Sequence, residues 1–357
     1  MYKMRSLWAY LLILVVIGIF LITFFVKAIA FQSEINTTRE VIRKPTKPAN
    51  QISLIFGGDV MLARTVEQKI LAVDDWSLPF RKVYKEFKKA DLSFANLESP
   101  FRDGGSATPN GSTVFRALPK TINGLKLAGI DIVSLANNHF GDQGISGEIY
   151  TLNHLNDNKI KYCGIGNNSN EAHSAAIFEV KKIKIAYLCY AYPETMSVAE
   201  ENSPGIANMD IEQMKKDVEN FTQNADFIIV SMHAGSEYTH KPGTSQINFA
   251  QAAIDSGADL VIGHHPHVVQ TTEKYKDGYI IYSLGNLVFD QMWSEETQQG
   301  VVAKVDLVGD KMETIEFKPI HIYDYNQPDW ADESEATAIL GDMGLETNNV
   351  TLSVVEE

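Results

Sequence analysis

From Gln51 onward, short apolar runs alternate with stretches whose apolar residues recur at helical spacing. The runs Ile52 to Phe56, Ile130 to Leu135, Phe227 to Val230 and Leu260 to Ile262 predict buried strands. Between them, Val60 to Ala72, Leu78 to Ala90, Lys120 to Ala128, Ile145 to Asn158, Asp210 to Asn224 and Ser245 to Ser256 predict amphipathic helices. This alternation predicts an α/β fold with helices on the faces of a sheet. Three places break it. Ala175 to Val180 and Ile183 to Cys189 flank Lys181-Lys182, Asp277-Gly278 separates Tyr275 from Tyr279 to Leu284, and Gly309-Asp310 separates Val301 to Leu307 from Thr314 to Ile320. Each predicts a hairpin, so the sheets are expected to be mixed, with antiparallel pairing toward the C-terminal side.

Polar clusters sit where the strands should end: Gly58-Asp59, Asn96-Leu97-Glu98, Asn137-Asn138-His139, His233 with Glu237, His264-His265-Pro266-His267, and Gly285-Asn286. Strand carboxyl ends in an α/β sheet converge on one crevice, so groups far apart in sequence can meet there. Carboxylate, imidazole and amide oxygen are ligands for a divalent metal. Taken singly, each cluster has a structural reading as well. Asp59 could cap the following helix, the asparagines could close turns, and the loop histidines could lie in solvent. His233 and Glu237 could be a ligand with its orienting carboxylate or a surface ion pair. His265 and His267 are two apart, so an extended backbone stiffened by Pro266 would point both rings the same way. Asn286 could bind substrate, orient a histidine or close a turn.

Composition narrows the classes. With 31 basic and 45 acidic residues the net charge is −14, which argues against a nucleic-acid partner. The segment after Tyr323 carries nine acidic residues without Lys or Arg and reads as a solvated acidic tail over 324–357. Cys163 and Cys189 read as buried apolar residues, with a single disulfide as the less favoured alternative. Leu7 to Val26 is a run of 20 uncharged residues preceded by Lys3 and Arg5 and ended by Lys27, which predicts an uncleaved anchor over 1–27 with the body outside the cytoplasm. The polar, Pro-containing stretch 28–50 is then a linker and 51–323 the folded domain.

In order, the segments Gly58-Asp59-Val60-Met61, Asn96-Leu97-Glu98-Ser99, Asn137-Asn138-His139 with Asp142 and Gly144, His233 through Gly235 to Glu237-Tyr238, Gly263 through His265-Pro266-His267, and Tyr282-Ser283-Leu284-Gly285-Asn286 with Phe289-Asp290 resemble the CapA family. These are bacterial proteins associated with poly-γ-glutamate capsule synthesis. The resemblance runs from about Ile52 to Val305 and implies a metallophosphoesterase-like α/β/β/α sandwich with a divalent metal: Mn, Zn, Fe or Mg.

Carried over, it implies Asp59, Glu98, His233, His265 and His267 as metal ligands and His139, Asn138 and Glu237 as catalytic groups. Asn96, Asn286 and Asp142 are then expected to contact substrate. One departure stands out: the phosphoesterase Asp-x-His is Asp59-Val60-Met61 here, and a thioether suits hard metals poorly. The implied role is synthesis or export of an anionic polymer beside the subunits of a capsule synthase, from a single-pass position in the bacterial cell membrane. A metal-dependent hydrolase of a cell-envelope phosphoester or amide is the alternative.

Overall fold

The computed structural model describes residues 50–104, 108–192, 198–345 and 351–354, together with Lys27. Apart from Lys27 and Asn50, the expected anchor over 1–27 and linker over 28–50 lie outside the described residues. Among the described residues, no helix is long and apolar enough to cross a membrane.

In chain order the strands begin with β1 (Gln51–Val60), β2 (Leu92–Leu97), β3 (Ile132–Ser134), β4 (Lys161–Cys163), β5 (Ile165–Gly166) and β6 (Ala176–Val180). Next come β7 (Ile183–Ala191), β8 (Gly205–Ile206), β9 (Phe227–His233), β10 (Leu260–His264), β11 (Thr272–Tyr275) and β12 (Gly278–Ile281). The last are β13 (Asn286–Val288), β14 (Gln299–Val308), β15 (Lys311–Tyr323), β16 (Gln327–Trp330) and β17 (Thr351–Ser353). They build a nine-stranded sheet ordered β16-β15-β14-β1-β2-β3-β4, with β13 on β1 and β17 on β15. A six-stranded sheet runs β11-β12-β10-β9-β7-β6, and β5-β8 form a small pair.

Alternation along single strands shows how the sheets lie. In β7, Ile185, Tyr187, Cys189 and Ala191 join the core shared with β1 and β2, whereas Ala186, Leu188 and Tyr190 join a second core under the helices Ile211–Phe221 and Thr244–Asp255. The period of two therefore places one face of the six-stranded sheet on the other sheet and its opposite face on helices. Phe94 of β2 stacks on Tyr187 of β7 at 5.6 Å between ring centres, a direct contact between the sheets. The layered sandwich of mixed sheets matches the expected α/β architecture.

Several local expectations need correction. Leu78 to Ala90 is not one helix: Pro79 opens a 3-10 turn at Leu78–Phe80, and a single α-turn follows at Tyr84–Phe87. Tyr275 pairs with Gly278, so the second hairpin turns on Lys276-Asp277, one residue earlier than expected, with Lys276 at φ 49°. Cys163 and Cys189 are disulfide-bonded, linking β4 of the first sheet to β7 of the second. The acidic segment after Tyr323 is not a free appendage over its described part. β16 extends the first sheet and the helix Glu333–Asp342 buries Ile339 and Leu340, with Met343 just beyond it, in the main core. Net charge concealed this packing, because the acidic residues occupy the outer face while the apolar stripe turns inward.

Candidate metal centre

The same parity that builds the inter-sheet core aims the polar residues. In β9, Phe227 and Ile229 face the first sheet, and His233 continues their alternation; in β10, Leu260 and Ile262 do the same and His264 follows. The parallel register sets His233 beside His264. On the opposing sheet, β1 and β2 pair Asp59 with Asn96, and β13 pairs Asn286 with Asp59. This close approach requires Gly58, where a Cβ would lie 2.0 Å from the Gly285 carbonyl oxygen. The helix after β1 begins at Arg64 with Ala63 as its N-cap, so Asp59 is free of capping duty.

Asp59, Glu98 and His233 each present a ligand atom within 4.8 Å of the others, and all three are buried. His267 adjoins them, with Nδ1 3.5 Å from Asp59 Oδ2 and Nε2 3.6 Å from Glu98 Oε1. A web of asparagines holds the cluster. Asn96 Nδ2 donates to Asp59 Oδ1 at 2.8 Å and lies 3.2 Å from His233 Nδ1, while Asn138 Oδ1 is 2.9 Å from His233 Nε2. Asn137 donates to Asn96 Oδ1 at 3.2 Å and to the Leu97 carbonyl at 2.9 Å. His265 contributes both backbone and ring: its N–H donates to Asp59 Oδ2 at 3.1 Å and its Nδ1 lies 3.2 Å from His233 Nε2.

Electrostatics matches the geometry. Burial disfavours ionised Asp59, yet the imidazoles of His264 and His267 hold its carboxyl well below the usual carboxylate range. Burial lifts Glu98 well above its ordinary value, opposed by His267 and reinforced by Asp59. Burial also drives His233 well below the usual imidazole value, with His265 adding to the effect, so His233 is neutral and ready to ligate. His267 goes the other way: burial works to lower it, but Glu98 and Asp59 carry it up to about 9. Glu98 Oε1 is buried without a hydrogen-bond partner. An orphaned carboxylate oxygen beside a second carboxylate and a neutral imidazole fits a divalent cation, which would take the place of protons on this cluster.

The residues expected to touch substrate lie differently. Asn96 and Asn286 are fully buried. Asn286 Nδ2 donates to the carbonyls of His267 and Thr297 and to Gln291 Oε1 at 3.3, 2.9 and 3.0 Å, and its Oδ1 sits 3.0 Å from His267 Nδ1. Both amides are spent on orienting other groups. Asp142 Oδ2 lies 2.9 Å from His139 Nδ1 and accepts the Phe115 N–H at 2.5 Å, so it positions His139. His139 Nε2 then faces Glu98 Oε1 at 3.9 Å. Glu237 is exposed on the loop after β9, and the ring nitrogens of His233 meet Asn96, Asn138 and His265 instead. The carboxylate four residues on does not orient this histidine.

His265 and His267 reach the centre, but not by an extended backbone. Their φ values are 97° and 57°, a left-handed path that brings both rings inward after β10 ends at His264. Met61 is fully buried, and its sulfur accepts the Ala63 N–H at 3.1 Å. Two contributors had no role assigned from the sequence, His264 within its histidine cluster and Arg64 outside any cluster. His264 is wholly buried with Nδ1 3.3 Å from Asp59 Oδ1. Arg64, at φ 51°, pairs with Asp290 and lies over the Phe115 ring at 4.7 Å, and Phe115 in turn stacks on His139 at 3.9 Å. For His264 the signal was available in the alternation Leu260, Ile262, His264; for Arg64 there was none.

The model of the family described as bacterial capsule synthesis protein PGA_cap matches residues 53–291, a span that contains every strand end of this centre. The chain belongs to this family. Among its relatives, the capsule biosynthesis protein CapA of Bacillus anthracis is 31% identical over 260 residues, covering 71% of this chain and 63% of the relative. The PGA biosynthesis protein CapA of Bacillus subtilis strain 168 is 29% identical over 276 residues, covering 76% of this chain and 72% of the relative. The chain thus spans just under two thirds of the Bacillus anthracis protein. A solved hypothetical protein of Thermus thermophilus shares the fold, with a TM-score of 0.50 at 16% identity, over 76% of this chain and 100% of that one.

Proposed function

We propose that this PGA_cap family member acts in the synthesis or export of an anionic capsule polymer, poly-γ-glutamate, and handles it at the crevice around Asp59, Glu98 and His233. The observation that carries the reading is the buried Glu98 Oε1, which has no hydrogen bond, beside Asp59 and His233. Asp59, Glu98 and His233 would hold a divalent ion, with His265 and His267 alongside. When bound, such an ion supplies Lewis-acid polarisation of an anionic or carbonyl oxygen and acidifies a water. The chain's own groups do the rest: Asn96 and Asn138 fix His233, Asn286 fixes His267, and Asp142 turns His139 so that Nε2 can hold or deliver a proton at the crevice.

The uncharged run Leu7 to Val26 supports a single-pass anchor, and the Cys163–Cys189 bond supports a body on the oxidising side of the membrane. A position beside capsule synthase subunits follows from this role. His139, aimed by Asp142 and adjacent to Glu98, favours a second reading in which the same centre hydrolyses a cell-envelope phosphoester or amide.

The test is metal content and function together. Full-length protein in detergent, loaded with Mn, Zn, Fe or Mg and assayed by emission spectroscopy, is expected to retain a divalent ion that Asp59→Asn and Glu98→Gln lose while remaining folded. Cells carrying either variant should release less polymer. A folded wild type that retains none of the four metals overturns the reading. Turnover of a phosphodiester or a γ-glutamyl peptide, lost in His139→Ala, selects the hydrolase.

A further inference from the structure

Single exposed aromatics are ordinary on protein surfaces, and several here have an evident role. Tyr323 and Tyr325, 44% and 42% exposed, each carry a lysine ammonium over the ring, Lys82 and Lys69. Tyr238 and Trp293 are different. They are 46% and 60% exposed and pack edge to face on each other at 5.9 Å between ring centres. The Tyr238 ring also lies 6.4 Å from that of His267, so two ring steps lead outward from the metal centre.

Both rings are held in place. Tyr238 has φ 60°, a costly conformation for a bulky residue, and its N–H donates to the Pro266 carbonyl at 2.8 Å. The turn that delivers it depends on Gly235 at φ 124°, where a Cβ would come within 2.6 Å of Gln246. On the other side, Thr297 Oγ1 donates to the Gln291 carbonyl at 2.7 Å, and Gln298 Nε2 donates to the Ser294 carbonyl at 2.9 Å. The loop carrying Trp293 is thereby fastened to Asn286, the residue that orients His267. A strained and an exposed aromatic, braced on the frame of the centre, form a built surface.

We infer that Tyr238 and Trp293 form a stacking ledge for the planar amide units of a polyamide chain whose reacting or retained end lies in the metal crevice. This rests on the function proposed above. Ring faces are electron-rich and Glu237 is exposed beside them, so a carboxylate is repelled from the ledge while an amide offers a flat face and an N–H donor. Only the amide planes of such a chain lie on the rings, and the carboxylate of each unit projects off the ring faces toward solvent, away from Glu237.

Binding of γ-linked glutamate oligomers to the full-length, metal-loaded protein, measured by calorimetry, tests the ledge. Wild type should bind a hexamer more tightly than a dimer, because only the longer chain reaches both rings. Trp293→Ala should weaken the hexamer about tenfold, leave the dimer and the metal content unchanged, and so abolish the length dependence, and Tyr238→Ala should weaken the hexamer as well. Trp293→Phe should restore most of it. Trp293 is exposed, so its replacement leaves folding intact. Hexamer affinity unchanged in Trp293→Ala overturns the ledge while retained metal leaves the centre standing. Trp293-dependent binding of an N-acetylglucosamine hexamer in place of the glutamate oligomer overturns the polyamide assignment. Trp293-dependent hexamer binding to a metal-free wild type supports the ledge and counts only against the metal centre.

Discussion

Nε2 of His233, at the end of β9, lies 2.9 Å from Oδ1 of Asn138, on the loop that leaves β3. One residue comes from each sheet, so this contact crosses the crevice. With Asn96 Nδ2 3.2 Å from Nδ1, the pair favours the tautomer in which Nε2 carries the hydrogen and Nδ1 accepts. Asn138 holds Nε2–H as the outer partner of a metal-ligating histidine does, and Nδ1 is the nitrogen that a cation would take in place of the Asn96 donor.

Replacing Asn138 by Ala should loosen His233 without removing a proposed ligand. Metal affinity is expected to fall by about 10- to 100-fold, the usual cost of an outer-partner change. Competition against a chromophoric chelator measures it. Unchanged affinity would mean that His233 is held by Asn96 and His265 alone.

The Cys163–Cys189 bond closes a separation of 26 residues and staples β4 of one sheet to β7 of the other. A loop of that length corresponds to about 3–4 kcal/mol of chain entropy removed from the unfolded state. Urea unfolding of the Cys163→Ser, Cys189→Ser double variant should show a loss of that order. The same loss should follow thiol reduction of wild type and be absent on reducing the variant.

Asp259 supplies a pH prediction away from the centre. Its Oδ2 accepts the Ile228 N–H at 2.8 Å, yet burial pushes the carboxyl from 3.8 up to about 6. The folded protein binds this proton more tightly than the unfolded chain does. The associated stability is fully present below the unfolded value and disappears as pH rises through about 6. Asp259→Asn keeps the acceptor and has no charge to bury. Its unfolding midpoint should therefore vary less than that of wild type over that interval, and it should be at least as stable at neutral pH. A steeper profile in the variant would contradict the sign.

Much of the layout was legible along the chain. The hairpin at Lys181-Lys182 is present, with both residues at positive φ, and the helices Gly144–Asp157, Ile211–Phe221 and Thr244–Asp255 fall close to their apolar periodicity. Local pattern fails where the decisive contact is distant. The charges after Tyr323 read as solvated because nothing nearby shows that β15 has an edge for β16 to pair with. The disulfide was the less favoured reading because Cys163 and Cys189 become neighbours only when two sheets face each other.

What the sequence alone determined is the succession of strands and helices and the placement of acid, amide and imidazole groups at strand ends, since both follow from local periodicity and turn chemistry. Tertiary structure decided the division of labour among those groups. Asn96, Asn286 and Asp142 face inward as positioning residues, Glu237 remains at the rim, and His264 and Arg64 enter the surroundings of the centre. The physical reason is that a side chain's role depends on what the opposite sheet presents to it, and the facing of the sheets is set by packing such as that of Phe94 on Tyr187, between residues distant in the chain.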